Sequence, residues 1–245
     1  MKTLKNLFVA LTLLAMAPMT AQTADEILNN YLENTGGEAA WNALEGVKMI
    51  GSVSSQGMDI PIEMHQMKDG KQLFKINLQG QEMTMMSFDG ETMWTTNMMT
   101  MLPEKSDTET TQNMKINNQD FPSPFLNYKE KGYTVEYLGK ETKEGTETFK
   151  LKLTKKPVMV DGKEEPTVSF YYFETENYVP ILVEETMNSG PAKGQMSVST
   201  FSDYQEVDGF YFSFSMSQGG QPIIVKEIIL NPEVDAALFA FPEEK

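Results

Sequence analysis

The 245-residue chain contains no cysteine, no arginine and a single histidine, His65. Without cysteine there are no disulfides, no thiol nucleophile and no thiolate metal site, so stability must come from burying apolar surface. One histidine cannot build a multi-histidine metal centre within the chain, and a Ser-His-Asp arrangement would have to use His65. All 20 basic residues are lysine, which removes the side chain best suited to bidentate grip on phosphate or carboxylate. Positive charge is also scarce, because 35 acids against those 20 lysines leave a formal charge of −15. Nucleic acid and anionic membrane surfaces are therefore repelled. The acids show no EF-hand spacing. Pairs such as Glu164-Glu165 and Glu184-Glu185 are adjacent, so on strands they point to opposite faces. Neither metal nor cofactor is expected, and an enzyme is the least favoured class.

Long apolar runs are lacking too. The one candidate, Leu7 to Ala17, follows Lys2 and Lys5, precedes small and polar residues to Ala21, and is shorter than the roughly 20 residues that span a bilayer. That order reads as a secretory signal peptide over residues 1–21, cut after Ala21, leaving a periplasmic or secreted chain of net charge −17. Residues 22–245 are read as one domain, since no linker rich in Pro, Gly or Ser divides them.

Thr23 and Glu26 have capping-box spacing ahead of Ile27, Leu28, Tyr31 and Leu32, which predicts a helix ended by Thr35-Gly36-Gly37. A second short helix is predicted from Glu38 to Glu45, with Trp41 and Leu44 on one face and Gly46 as its stop. From Val47 the period changes to two. Strand-like runs are separated by turn dipeptides: Asp69-Gly70, Gln79-Gly80, Asp89-Gly90, Glu144-Gly145, Asp161-Gly162, Ser189-Gly190, Asp208-Gly209 and Gly219-Gly220. Asp69-Gly70 and Asp89-Gly90 in particular suit tight hairpins. Phe149-Lys150-Leu151-Lys152-Leu153 shows the cleanest alternation, and similar rows are Phe74, Ile76 and Leu78; Val168, Phe170 and Tyr172; and Phe210, Phe212 and Phe214. Pro103 to Tyr128 breaks the meander with many Asn, Thr and Gln, and is expected to be an ordered helical or loop insertion covering something.

Ile60, Ile62 and Met64 share one strand face and His65 takes the other, which predicts an outward surface histidine. Methionine is abundant at 19 residues. Clusters such as Met64-His65-Gln-Met67, Met83-Thr-Met85-Met86 and Met98-Met99-Thr-Met101 offer soft sulfur of the kind that suits Cu(I). An adaptable binding wall and plain core filling each weigh more, because thioethers repack around varied shapes. Alternation predicts Met83 and Met85 on one face and Met86 on the other.

A helical pair, a long antiparallel meander and a mid-chain excursion are followed by Asp203-Tyr204-Gln-Glu-Val207-Asp208-Gly209-Phe210 and by Val234-Asp235-Ala-Ala-Leu238-Phe239. With Gly139-Lys140 after Lys131-Gly132-Tyr133, this order resembles the outer-membrane lipoprotein-sorting proteins, the LolA/LolB-like family, over nearly the whole chain after residue 21. The resemblance implies a mainly β fold, an open antiparallel half-barrel of about 11–12 strands whose concave face is covered by the N-terminal helices and the mid-chain insertion. It also implies a cavity for an acyl chain or lipoprotein lipid, and a partner that releases or accepts the lipoprotein. The carrier branch uses an arginine within its cavity, and this chain has none.

Alternation combined with that resemblance assigns Phe74, Ile76, Met83, Met85, Phe149, Leu151, Phe170, Phe212 and Phe214 to the cavity wall. Ile27, Tyr31, Trp41, Phe121 and Phe125 form the cover. The expected protein is a monomeric, non-enzymatic lipid-binding protein of the cell envelope. The alternative is an envelope interaction module whose barrel is solidly packed and holds no ligand. Sequence cannot separate them, because a row of aromatic side chains looks the same around a void as within a core.

Overall fold

The computed structural model describes residues 22–55, 57–188 and 193–242. The proposed signal peptide and the Ser189-Gly190 turn lie outside the described residues. The fold is mainly β. Two helices, α1 (Ala24–Asn34) and α2 (Glu38–Ala43), lead into β1 (Gly46–Ser55), β2 (Met58–Met67), β3 (Gln72–Leu78), β4 (Gln81–Phe88), β5 (Met93–Thr96) and β6 (Pro103–Lys105). Helix α3 (Thr108–Asn117) and a 3-10 turn (Asn118–Asp120) follow. The chain continues through β7 (Thr134–Lys143), β8 (Thr146–Val160), β9 (Lys163–Glu174), β10 (Pro180–Thr186), β11 (Met196–Val207), β12 (Phe210–Gln218) and β13 (Gln221–Leu230).

The 13 strands form one antiparallel sheet in the order β6-β5-β4-β3-β2-β1-β13-β12-β11-β10-β9-β8-β7. Among the described residues only the β1–β13 pairing joins strands distant in sequence, so the sheet consists of two meanders sewn together there. Helix α3 touches both β5 and β8, which stand ten strand spacings apart in that order. In a flat sheet the gap would be about 48 Å, whereas a ten-residue helix is about 15 Å long. The sheet is therefore strongly curled, and the excursion from β6 to β7 bridges its unpaired edges. The expected half-barrel is found, with 13 strands; Pro103–Lys105, expected as part of the insertion, pairs with β5.

The capping box forms as predicted, with the Thr23 hydroxyl accepting from Glu26 N and the Glu26 carboxylate accepting from Thr23 N. The turns differ from expectation. Positive φ at both central residues, which a two-residue hairpin of this hand needs, occurs at Gln79-Gly80, Glu144-Gly145, Asp161-Gly162, Asp208-Gly209 and Gly219-Gly220. At Asp69-Gly70 and Asp89-Gly90 only the glycine has it. There the aspartate side chain holds a longer loop, Asp89 Oδ1 accepting from both Glu91 N and Thr92 N. Gly51 is required for another reason: a Cβ there would lie 2.3 Å from the Ile224 carbonyl oxygen, at the irregularity where β1 meets β13.

Helices α1 and α2 cover the inner face of the sheet, where two clusters form. One joins Ile27, Leu28 and Phe125 to Phe149, Leu151, Leu153 and Phe173. The other joins Leu32, Trp41, Leu44 and Leu126 to Val47, Phe210, Val225 and Ile228, with Phe121, Phe212 and Phe214 packed against it. On the outer face the C-terminal segment folds back over β2 to β5. Asp235 caps a 3-10 turn by accepting from Ala237 N. That turn delivers Phe239, which is fully buried and whose carbonyl accepts hydrogen bonds from Ser87 Oγ and Trp94 Nε1.

This segment corrects the reading of His65. The histidine does point outward, but Phe239 covers it at 6.2 Å between rings, leaving it 3% exposed. Its Nε2 lies 2.8 Å from Glu63 Oε1, and its Nδ1 has no hydrogen-bond partner among the described residues. Alternation finds the face of a strand and says nothing of a distant segment lying on it.

Candidate ligand-binding face

Strand register places the predicted wall residues. Phe74 pairs with Met64 and Ile76 with Ile62 across β2–β3. Met64 in turn pairs with Met49, and Ile62 with Gly51, so these side chains share the inner face. On β4, Met83 pairs with Ile76, but Met86 rather than Met85 pairs with Phe74. A register irregularity between Phe74 and Lys75 is the cause: one extra residue on β4 inverts the alternation behind the assignment of Met85.

Phe170 is also reassigned. It pairs with Lys152 on β8 and Glu184 on β10, with Lys150 Nζ 5.3 Å from its ring centre, all on the outer face. Tyr171 and Phe173 hold the inner positions instead, touching Phe125 at 4.7 and 5.4 Å between centroids. Four consecutive aromatics, Phe170 to Phe173, satisfy alternation in either phase, so the pattern could not choose.

The remaining residues divide into two groups. Phe149 and Leu151 face inward but are completely packed beneath Ile27 and Phe125. Tyr31, Trp41, Phe121 and Phe212 line an apolar cavity of about 200 Å³ together with Met49 and Met216. Trp41 is held by its Nε1, which donates to Thr35 Oγ1 at 3.2 Å, while that hydroxyl donates to Tyr31 O at 2.7 Å. Phe214, Phe74, Ile76 and Met83 continue the inner face and are only half-buried. The side of the sheet around β8 and β9 is thus solid, and the side around β12, β1 and β3 is apolar and partly open.

A larger cleft, about 590 Å³, adjoins the apolar cavity and shares Tyr204 and Tyr211 with it. Its other lining residues are Asn34, Glu174, Asn177 and Val179. Tyr204 donates from its hydroxyl to Pro180 O at 2.6 Å. Burial pushes the phenols of Tyr31 and Tyr204 upward, so both are neutral at physiological pH. Among the described residues no carboxylate or ammonium group lines the apolar cavity. Tightly fixed apolar walls beside a few polar groups are the usual composition of a small-molecule site, and the two spaces together fall within the common range of about 300–1,000 Å³.

Alternation from Val47 could have found Met49. Asn34 and Asn177 carry no sequence signal, and Tyr204 stands out only as part of the run that resembles the lipoprotein-sorting family, because the three come from separate elements joined only by the curl of the sheet. The methionines split by location: Met49, Met64, Met83, Met86 and Met216 are on the inner face, whereas Met98, Met99 and Met101 stand exposed with Leu102 on the β5–β6 turn. Asn97 fixes that turn by accepting from Met99 N and Thr100 N. Among the described residues no cluster of three or more His, Asp or Glu side chains is arranged to hold a metal, and no helix is long and apolar enough to cross a membrane.

No protein-family profile matches the sequence, and no curated protein matches it. Solved structures do. A LolA superfamily protein from Nitrosomonas europaea aligns with 90% of this chain and 98% of its own at 14% identity, with a TM-score of 0.52. A DUF1329 family protein from Desulfovibrio piger covers the same shares at 13% identity and a TM-score of 0.54. A domain described as an outer membrane lipoprotein-sorting protein, from Vibrio parahaemolyticus, aligns over 87% of this chain and 94% of its own at 14% identity and 0.50. At such identities the likeness is one of fold: the chain has a LolA-like fold.

Proposed function

We propose that the protein is a non-enzymatic binding protein of the cell envelope that holds an acyl chain, free or as the lipid part of a lipoprotein, against the open half of its inner face. The observation that carries this reading is the cavity lined by Tyr31, Trp41, Phe121 and Phe212, continued by half-buried methionines and Phe74, Ile76 and Phe214. An apolar surface left half-covered on a curled sheet is stabilised when a chain of methylenes replaces water there, by about 0.8 kcal/mol for each fully buried methylene. Unbranched thioethers let one wall fit acyl chains of different length. The LolA-like fold supports the same reading, and a relative in fold is described as a lipoprotein-sorting protein, which favours transit of lipoproteins to the outer membrane, with a releasing or accepting envelope protein as partner. The one histidine lies on the outer face beneath Phe239, outside the lining of the cavity, which supports binding over catalysis. Export with cleavage after Ala21, giving a monomer that starts at Gln22, completes the proposal.

Native mass spectrometry of protein recovered from its own host, with organic extraction of the same sample, tests it. The expected result is a mature chain carrying one co-purifying lipid. A second reading, a packed module that meets a protein partner, is favoured by the exposed Met98, Met99, Met101 and Leu102. It predicts a bare chain in the same experiment.

A further inference from the structure

The two adjoining spaces differ in chemistry in a way that selects the polar end of the ligand. The apolar cavity suits methylenes, and the cleft that shares Tyr204 and Tyr211 with it presents polar groups. The one charged side chain in the cleft lining is Glu174. Its carboxylate accepts from Glu176 N at 3.1 Å and Asn177 N at 2.6 Å, so the negative charge is fixed in place by the turn after β9. Among the described residues no lysine lines either space, and the chain has no arginine. Uncommitted hydrogen-bonding capacity does exist there. The Asn177 carboxamide makes no hydrogen bond among the described residues, Tyr204 can still accept, and the Tyr211 hydroxyl is 3.5 Å from Glu206, at the limit of a hydrogen bond.

We infer, resting on the amphiphile-binding reading above, that the cleft receives a polar end carrying no negative charge, such as a glyceryl hydroxyl, ester or amide, and disfavours carboxylate and phosphate ends on the same acyl chain. A hydroxyl or amide finds partners in Asn177, Tyr204 and Tyr211. An anion would meet a fixed like charge with no cation to offset it, and the net charge of −15 adds a repulsive field.

The test is a competition at pH 8 against a neutral fluorescent probe, N-phenyl-1-naphthylamine. The competitors share a twelve-carbon chain: 1-monolauroylglycerol, laurate and dodecyl phosphate, each below its micelle concentration. The expected result is displacement by monolauroylglycerol at a concentration roughly tenfold lower than by either anion, the scale set by one nearby like charge of reduced screening. Replacing that charge, Glu174→Gln, should shrink the gap at least about threefold, and Tyr211→Lys, which adds a cation where the two spaces meet, should shrink it further. Equal or tighter displacement by the anions in the unmodified protein overturns the inference and leaves the amphiphile reading intact. A probe that does not bind at all overturns that reading, and the inference with it.

Discussion

Trp41 stands edge-on to Phe212, with 5.6 Å between ring centroids and 73° between planes, and both line the apolar cavity. A carboxylate in place of Phe212 would lie unpaired where an acyl chain is proposed to rest, and burying such a charge costs several kcal/mol. Because Phe212 is only half-buried, the side chain of Phe212→Glu can turn to water. The fold should lose only about 1–2 kcal/mol, while lipid affinity falls more than tenfold. Ligand titration and thermal melting on one sample check both, and unchanged affinity in a folded Phe212→Glu protein would remove Phe212 from the site.

Leu151 behaves oppositely. It is fully buried in the solid half of the inner face, so Leu151→Ala should cost about 2–5 kcal/mol in urea unfolding and leave lipid affinity within about twofold where the protein is folded. Loss of affinity without loss of stability would place the ligand in the wrong half.

On the outer face, Phe239→Ala should cost about 3–5 kcal/mol, because it empties a sealed site. The neighbouring His65→Leu should change stability by less than about 1.5 kcal/mol, since it removes an unpartnered buried nitrogen while Glu63 keeps its ion pair with Lys48. Lipid binding should survive His65→Leu. A variant that stays folded and loses its ligand would show that the single histidine does act in the site.

Glu184 should be one of the carboxylates that make the protein acid-sensitive. Burial pushes its carboxyl up, but hydrogen bonds from Lys143 and Tyr172 outweigh that and hold it below the ordinary glutamate range. A carboxyl lowered by folding contributes stability that is fully present above its unfolded value of about 4.3, and that is lost as pH falls through the folded value. Unfolding free energy measured from pH 7 to 3 should therefore decline below about pH 4.5, and Glu184→Gln should flatten that decline. An unchanged acid limb in Glu184→Gln would mean that other carboxylates govern it.

Much of this architecture was legible from local chemistry. The Thr23-Glu26 box, the two-residue hairpins at Glu144-Gly145 and Asp208-Gly209 and the inward row Phe149-Leu151-Leu153 follow from rules that act over a few residues. The departures have different causes. Alternation puts Met85 opposite Phe74, but a single extra residue on β4 brings Met86 there instead. Phe170 was misplaced because four aromatics in a row carry no phase. Alternation predicts an exposed His65, and Phe239, far along the chain, covers it. The candidate site was half legible: Phe212 from the expected wall and Tyr31, Trp41 and Phe121 from the expected cover line one cavity, but the polar cleft with Asn34, Asn177 and Tyr204 exists only through the curl of the sheet.

The protein contains two tryptophans, and their positions make the central claim measurable. Trp41 lines the apolar cavity, and Trp94 is buried beneath Phe239 and Phe241 on the outer face. In Trp94→Phe protein, Trp41 becomes the sole reporter of the inner face, and 1-monolauroylglycerol can be titrated below its micelle concentration. The account predicts a saturable change in Trp41 emission with an endpoint near one ligand per chain, abolished by Phe212→Glu. A flat emission signal across the whole titration in folded protein would contradict it and leave the inner face as packed core.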